Sequence, residues 1–205
     1  MQTSHETSLN LKLEQVATIL RVASWVSFVL QIGLASLASV LLLLAISGRS
    51  FNQAIAPSVR VPNVGIAPTQ TTTPGLGIAI FWAVCGILVL LFGSYLAFRL
   101  IRFSKRLGNS NPAIHPKRAK VMQVLRLGVI TGLVGMLLMI LGMGATVGVL
   151  LSKSIAQPQG VAIYDPNRII RSLDVFVAAA NTTGLTAHFV GVVVSLGVFN
   201  WLHRP

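Results

Sequence analysis

The chain has 205 residues, of which 54% are hydrophobic and only 10% are charged. Soluble domains usually carry about a quarter charged residues, so this composition excludes an ordinary soluble fold. The net charge of +12 does not indicate a nucleic-acid partner, because the Lys and Arg residues flank apolar runs and no nucleic-acid-binding motif accompanies them. We therefore expect an integral membrane protein whose surroundings are the lipid bilayer.

Four apolar runs are each long enough to cross a bilayer as a helix, which takes about 20 residues. They predict an all-α membrane protein, one domain built as a left-handed four-helix bundle. The predicted membrane spans are residues 22–46, 76–98, 124–151 and 173–202. The predicted connecting segments are an N-terminal segment 1–21, a Pro/Thr-rich outer loop 47–75, a basic loop 99–123 and an outer loop 152–172.

The distribution of Lys and Arg predicts the orientation of the chain in the membrane. Most of the 16 cationic residues fall on the side that holds both termini, and the basic side is normally cytoplasmic. We name the residues at and around the second loop the basic cluster. Its main role is expected to be orientation, and binding of anionic lipid or an acidic partner is the alternative. The basic cluster comprises Arg99, Arg102, Lys105, Arg106, Lys117, Arg118, Lys120 and Arg126.

Small residues recur at alternating intervals of four and three along the spans, which keeps them on one seam of a left-handed bundle. Lipid supplies no hydrophobic drive for helix association, so small residues that allow close approach mark the contacts. Gly144 and Gly148 point away from this seam and could serve a contact between protomers, which makes a homo-oligomer an expectation. The glycines of the seam are Gly86, Gly93, Gly128, Gly132, Gly135 and Gly142.

The last span carries polar residues at seven-residue intervals, on one side of the helix. Polar groups in a membrane helix should face the bundle interior, and Gln31 of the first span should lie at a similar depth to the histidine. Two interpretations remain open: interhelical hydrogen bonding, or a path for protons or a metal ion with the histidine as a candidate ligand. The four residues are Asp174, Asn181, His188 and Ser195.

Distance limits what these residues can do together. Asp174 and His188 are 14 positions apart, which is about 21 Å along a helix, so they cannot bind one ion within a protomer. The last helix is expected to begin early, with Asp165 as N-cap and Pro166 at its first position. No nucleophile–base pair or metalloprotease motif is present, so we expect neither an enzyme nor a bound cofactor.

Two blocks of the sequence carry a family resemblance. They are LRLGVITGLVGMLLMILGMGATVGVLLSKS at Leu125–Ser154 and SLDVFVAAANTTGLTAHFVGVVVSL at Ser172–Leu196. Together with RLIRFSKRL at Arg99–Leu107 and RVASWVSFVLQIGLASLAS at Arg21–Ser39, they resemble a family of cyanobacterial membrane proteins. That family includes the Tic twenty-one protein of the chloroplast inner envelope, also called the permease in chloroplasts. The resemblance implies four membrane helices and one of two functions, iron permeation or a part in protein import.

The preferred interpretation is a transport-class protein that moves iron or another metal ion across a cyanobacterial plasma membrane, with a thylakoid location as the alternative. In this hypothesis Asp174 is a station at the outer face and His188 is a station in the middle of the membrane. The alternative is a scaffold that does not transport, as a translocon or assembly subunit of a membrane complex. The small number of ligand residues argues for an oligomer in the first case.

Overall fold

The computed structural model describes residues 2–55, 75–109, 116–155 and 172–203, and nearly all of them are helical. The helices are α1 (Gln2–Ile55), α2 (Leu76–Leu107), α3 (Arg118–Ile155) and α4 (Ser172–His203). The described residues include no strand. Each helix contains a run long and apolar enough to span a bilayer. The chain is therefore an all-α, multi-pass integral membrane protein, and the handedness of the bundle and the side of its termini stay predictions.

The four helices run alternately up and down. Each packs along its two neighbours in the cyclic order α1, α2, α3, α4, and α2 and α4 also touch across the diagonal. Leu20 in the first half of α1 packs in one cluster with Leu100 near the end of α2 and Val198 near the end of α4. We call this the basic end, because the basic cluster lies there, and we call the other end the opposite end.

Helices extend into segments that were assigned to loops. α2 begins at the predicted residue but continues to Leu107, and α3 begins at Arg118, so much of the predicted loop 99–123 is helical. The physical reason is packing beyond the bilayer, since Leu100 and Phe103 are buried against Val121 and such contacts stabilise a helix in water. The first outer loop is also shortened, because α1 continues to Ile55. Residues 56–74 and the predicted cap at Asp165 and Pro166 lie outside the described residues.

Large apolar side chains cover the outside of every helix. Leu43 is 62% exposed and Leu88 60% exposed, and Leu137 and Phe189 are similarly uncovered. In water such a surface would be a liability, whereas in a bilayer it faces lipid. The interior is correspondingly narrow and is lined mainly by small and polar residues.

Gly75 fixes the start of α2 at the opposite end. Its φ of +97° lies in the left-handed region, which glycine adopts without the steric cost that a side chain brings. A Cβ at this position would also come within 2.9 Å of Cγ2 of Val149 on α3. The turn into α2 therefore lies directly against the end of α3.

Candidate functional site

The polar residues of α4 lie in the interior of the bundle. Asp174, Asn181 and His188 have exposed fractions of 1%, 0% and 2%, and Ser195 is half-buried beside an internal cavity. We call these four residues the polar column. Their seven-residue spacing places successive members about 10 Å apart along the helix axis, from the opposite end to the basic end.

His188 joins three helices. Its Nε2 lies 3.1 Å from the carbonyl oxygen of Gly86 on α2. Since a carbonyl oxygen can only accept, Nε2–H donates this bond and Nδ1 is the acceptor of the neutral ring. The ring also fills the space where Gly135 of α3 has no side chain, because a Cβ there would overlap it. The hydrogen-bond partner of this imidazole is thus a backbone carbonyl of α2.

Met139 packs at the same junction. It is fully buried, and its thioether lies against the backbones of Gly86 on α2 and Gly184 on α4, where a Cβ would collide with it. Gly184 lies inside α4. In the structure α4 continues through it, and the missing side chain makes room for the methionine.

Gln31 reaches the interior from α1. It is 6% exposed, and its amide nitrogen lies against Gly191 of α4, which is one turn from His188. Its Oε1 accepts no hydrogen bond from the described residues. Gln31 and His188 thus line the same cavity, at the similar depth that the sequence predicted.

Asn181 is the second buried amide with an unused acceptor. Its Nδ2 donates to the carbonyl oxygen of Val177 at 3.0 Å, within its own helix. Its Oδ1 faces Gly142 of α3 and has no partner among the described residues. A buried amide oxygen without a partner costs about 1–3 kcal/mol, so both amides are energetically unfavourable in a purely packing role.

Asp174 of α4 forms an ion pair with Lys153, which lies in the last turn of α3. Both side chains are buried, and the Lys153 Nζ donates to the carboxylate Oδ2. The signal was present in the sequence, because Lys153 follows the interior residue Thr146 by seven positions and so continues the seam of α3. The predicted outer station is thus already occupied by an internal cation.

The glycines of α3 are matched to the residues of α4. Gly128 faces Ser195, Gly132 faces Val192, and Gly135 and Gly142 face the histidine and the asparagine. Each glycine makes room for a side chain of the facing helix, so the seam and the polar column form one interface. Of the α2 glycines, Gly86 lies at the Met139 junction and Gly93 lies beside Gln31.

Gly144 and Gly148 of α3 lie away from the other helices that the structure describes. No described atom lies within 4 Å of a Cβ built at either position, and both are exposed. They face the lipid side of the helix, as their sequence spacing indicated. A contact between protomers at these residues stays a prediction.

All eight residues of the basic cluster are exposed. The Arg102 guanidinium lies 4.8 Å from the ring centre of Phe98, and that of Arg99 lies 5.6 Å from the ring centre of Phe103. Arg118 donates from Nη2 to the carbonyl oxygen of Leu202 at 2.5 Å. That carbonyl lies in the last turn of α4, where helical partners are missing and a cation is favoured.

A small internal cavity lies on the basic-end side of His188, between all four helices. Its volume is about 20 Å³, measured as space open to the centre of a water molecule. Gln31, His188 and three serines line it with apolar residues. Within the described part of the chain, no group of three or more His, Cys, Asp and Glu side chains comes together. The serines of the lining are Ser24, Ser27 and Ser195.

Comparison with known proteins gives the family. The family described as "Protein of unknown function (DUF3611)" matches residues 10–203, which include all the described residues of α2 to α4 and most of α1. This chain belongs to the DUF3611 family. It is also 38% identical over 136 residues to Protein TIC 21, chloroplastic, of Arabidopsis thaliana.

The similarity to the Arabidopsis protein covers 62% of this chain and 45% of the relative, so it spans less than half of the longer protein. The family resemblance that the sequence blocks indicated is thereby confirmed. No solved structure matches the chain. The DUF3611 match extends over the polar column, the glycine seam and the basic cluster alike.

Proposed function

We propose that this chain moves a cation, iron or another metal ion, across a membrane along the polar column of α4. The observation that carries the proposal is the burial of Asp174, Asn181 and His188 in one line through the bundle interior. Ionisable residues inside a membrane protein are expensive and are functional candidates by default. The unused oxygens of Gln31 and Asn181 add acceptors for a cation along the same line.

The spacing of the column implies movement by stations. Successive polar groups are about 10 Å apart, so an ion passes from one to the next and is never held by two of them. An ion such as Fe(II) takes several oxygen or nitrogen ligands, and each station of one chain offers few. Water and a second copy of the chain supply the remaining ligands, so the working unit is an oligomer.

Entry at the opposite end requires an exchange of cations. The Asp174 carboxylate is paired with the Lys153 ammonium, and an incoming ion takes the carboxylate only as the ammonium leaves. Lys153 lies in the last turn of α3 and carries a flexible four-carbon stem, which allows this movement. The pair thus keeps the carboxylate neutralised when no ion is bound.

The membrane in question is, by the family resemblance, a cyanobacterial plasma membrane, and the thylakoid membrane is the alternative. The second candidate function is a scaffold or translocon subunit that does not transport. The outward-facing Gly144 and Gly148 favour it, since small residues on a lipid face permit close approach of another helix. The two functions differ in whether purified protein moves ions.

The test is Fe(II) uptake by protein reconstituted in liposomes, with His188→Gln as the decisive variant. A glutamine can still donate to the Gly86 carbonyl, so we expect the variant to fold while uptake falls to the level of empty liposomes. Thr182→Val is the matched control, because Thr182 is exposed on the same helix. Uptake by liposomes that contain this variant should equal uptake with the wild-type protein. Normal uptake by a folded His188→Gln protein would favour the scaffold.

A further inference from the structure

The cavity beside His188 contains a hydrogen-bond acceptor that the described protein groups leave unsatisfied. Gln31 is only 6% exposed and lines the cavity. Its Oε1 receives no hydrogen bond from the described residues. Leaving such an oxygen unpaired costs about 1–3 kcal/mol. We propose that the cavity binds one water molecule, which donates a hydrogen bond to Oε1 of Gln31.

The volume and the lining of the cavity fit this ligand. About 20 Å³ is open to the centre of a water molecule, and one water needs roughly 10–15 Å³ by this measure. A buried water also needs two to four polar partners. Ser24, Ser27 and Ser195 line the same space, and a serine hydroxyl can donate or accept a hydrogen bond.

A bare metal ion fits the cavity less well than water does. The lining residues include no carboxylate, and an unpaired charge in a low-dielectric interior is strongly disfavoured. Water is neutral and supplies both donors and acceptors, which matches an amide oxygen and hydroxyl groups. The site is therefore a hydration site, whatever the transported species.

The bound water makes the interior of the basic half of the bundle hydrated, unlike the interior of the other half. It lies in a cavity whose wall runs from the level of Gln31 and His188 toward Ser24 and Ser195, which lie closer to the basic end. In the other direction Asn181 is fully buried and packs against Gly142. One half of the interior is thus hydrated at its centre, and the other is held by direct packing. This inference goes beyond the proposed function, because it holds for a scaffold as well as for a permease.

Water-edited solid-state NMR of the full chain in lipid bilayers tests the site. Polarisation passes from water to nearby amides, and the side-chain amides of glutamine and asparagine are resolved with ¹⁵N labels. We expect the Gln31 signal to build up several-fold faster than the Asn181 signal, although both amides are buried. Exposed Gln123 provides the upper limit of the rate. Equal build-up at Gln31 and Asn181 would show a dry cavity and overturn the proposal.

A matched pair of glycine variants locates the water. A Cβ at Gly93 would lie 3.8 Å from Gln31 Oε1, so Gly93→Ala fits the fold while its methyl group takes up space in the cavity. We expect the Gln31 build-up to fall to that of Asn181. Gly77→Ala, on the same helix with nothing near its Cβ, should leave the build-up unchanged. An unchanged build-up in folded Gly93→Ala would place the water elsewhere and overturn the assignment.

Discussion

At the basic end, eight buried apolar residues from all four helices form one core, whereas the core cluster at the opposite end has four members, two of them alanines. There the ion pair of Lys153 and Asp174 joins α3 to α4. Apolar contacts are many and non-directional, so the loss of one leaves the rest in place. An ion pair depends on both partners. The comparison teaches that one end is held by many apolar contacts, whereas the other combines a smaller apolar core with a buried ion pair.

The largest expected effect concerns which face of the membrane each end occupies, since labelling from one side is all or none. Single cysteines replace Thr72 and Ser110, both outside the described residues, in a Cys85→Ser background. Because the basic end should be cytoplasmic, an impermeant thiol reagent should label the Thr72→Cys variant in intact cells and spare the Ser110→Cys variant. The reverse labelling would exchange the two ends and invert the proposed direction of entry.

Removing one partner of the ion pair should cause the next largest effect. Lys153→Met removes the ammonium that pairs with the buried Asp174 carboxylate, and we expect a loss of about 3–5 kcal/mol in the free energy of unfolding. The measurement is denaturant unfolding of purified protein in detergent. Lys120→Met, an exposed lysine of the same helix, is the control and should change stability by less than about 0.5 kcal/mol.

The double variant Lys153→Met/Asp174→Leu sharpens this test. Replacing both charges by apolar groups is often neutral for a buried pair, so most of the lost stability should return. Failure of the single variant to destabilise the protein would mean that the opposite end is held by apolar contacts after all. The contrast between the two ends would then disappear.

A smaller effect is expected in the middle of the bundle, between the basic end and the opposite end. A Cβ on Gly135 would overlap the His188 ring, so Gly135→Ala should destabilise the protein by about 1–3 kcal/mol through overpacking. Gly144→Ala places the same methyl group in open space on the same helix and should be neutral or slightly stabilising. Equal melting temperatures of the two variants would show that the seam does not depend on close approach at Gly135.

Much of this architecture could be predicted from the sequence because a membrane imposes simple rules. Span length fixed the number of helices, and the alternating spacing of small residues indicated the buried face of each helix. The same spacing placed Asn181 and His188 inside. The spacing does not identify the hydrogen-bond partner of each polar side chain, because a backbone carbonyl such as that of Gly86 has no signature in the sequence.

Lys153 shows what a count of charges leaves out. Counting Lys and Arg assigns Lys153 to the outer side of the membrane and says nothing of whether its side chain is buried. The seven-residue interval from Thr146 to Lys153 indicated the interior instead, and the paired Asp174 made burial of the charge tolerable. The helix extensions around the second loop were missed for a related reason, since span length describes the bilayer and says nothing of packing beyond it.

The burial of the Met139 thioether affects how this protein responds to oxidants. Its thioether lies against two glycine backbones, Gly86 and Gly184, and the side chain is fully buried. Methionine sulfoxide is larger and polar, so oxidation at this residue would force α2 and α4 away from α3. The three helices that meet at Met139 keep its sulfur out of reach of diffusing oxidants.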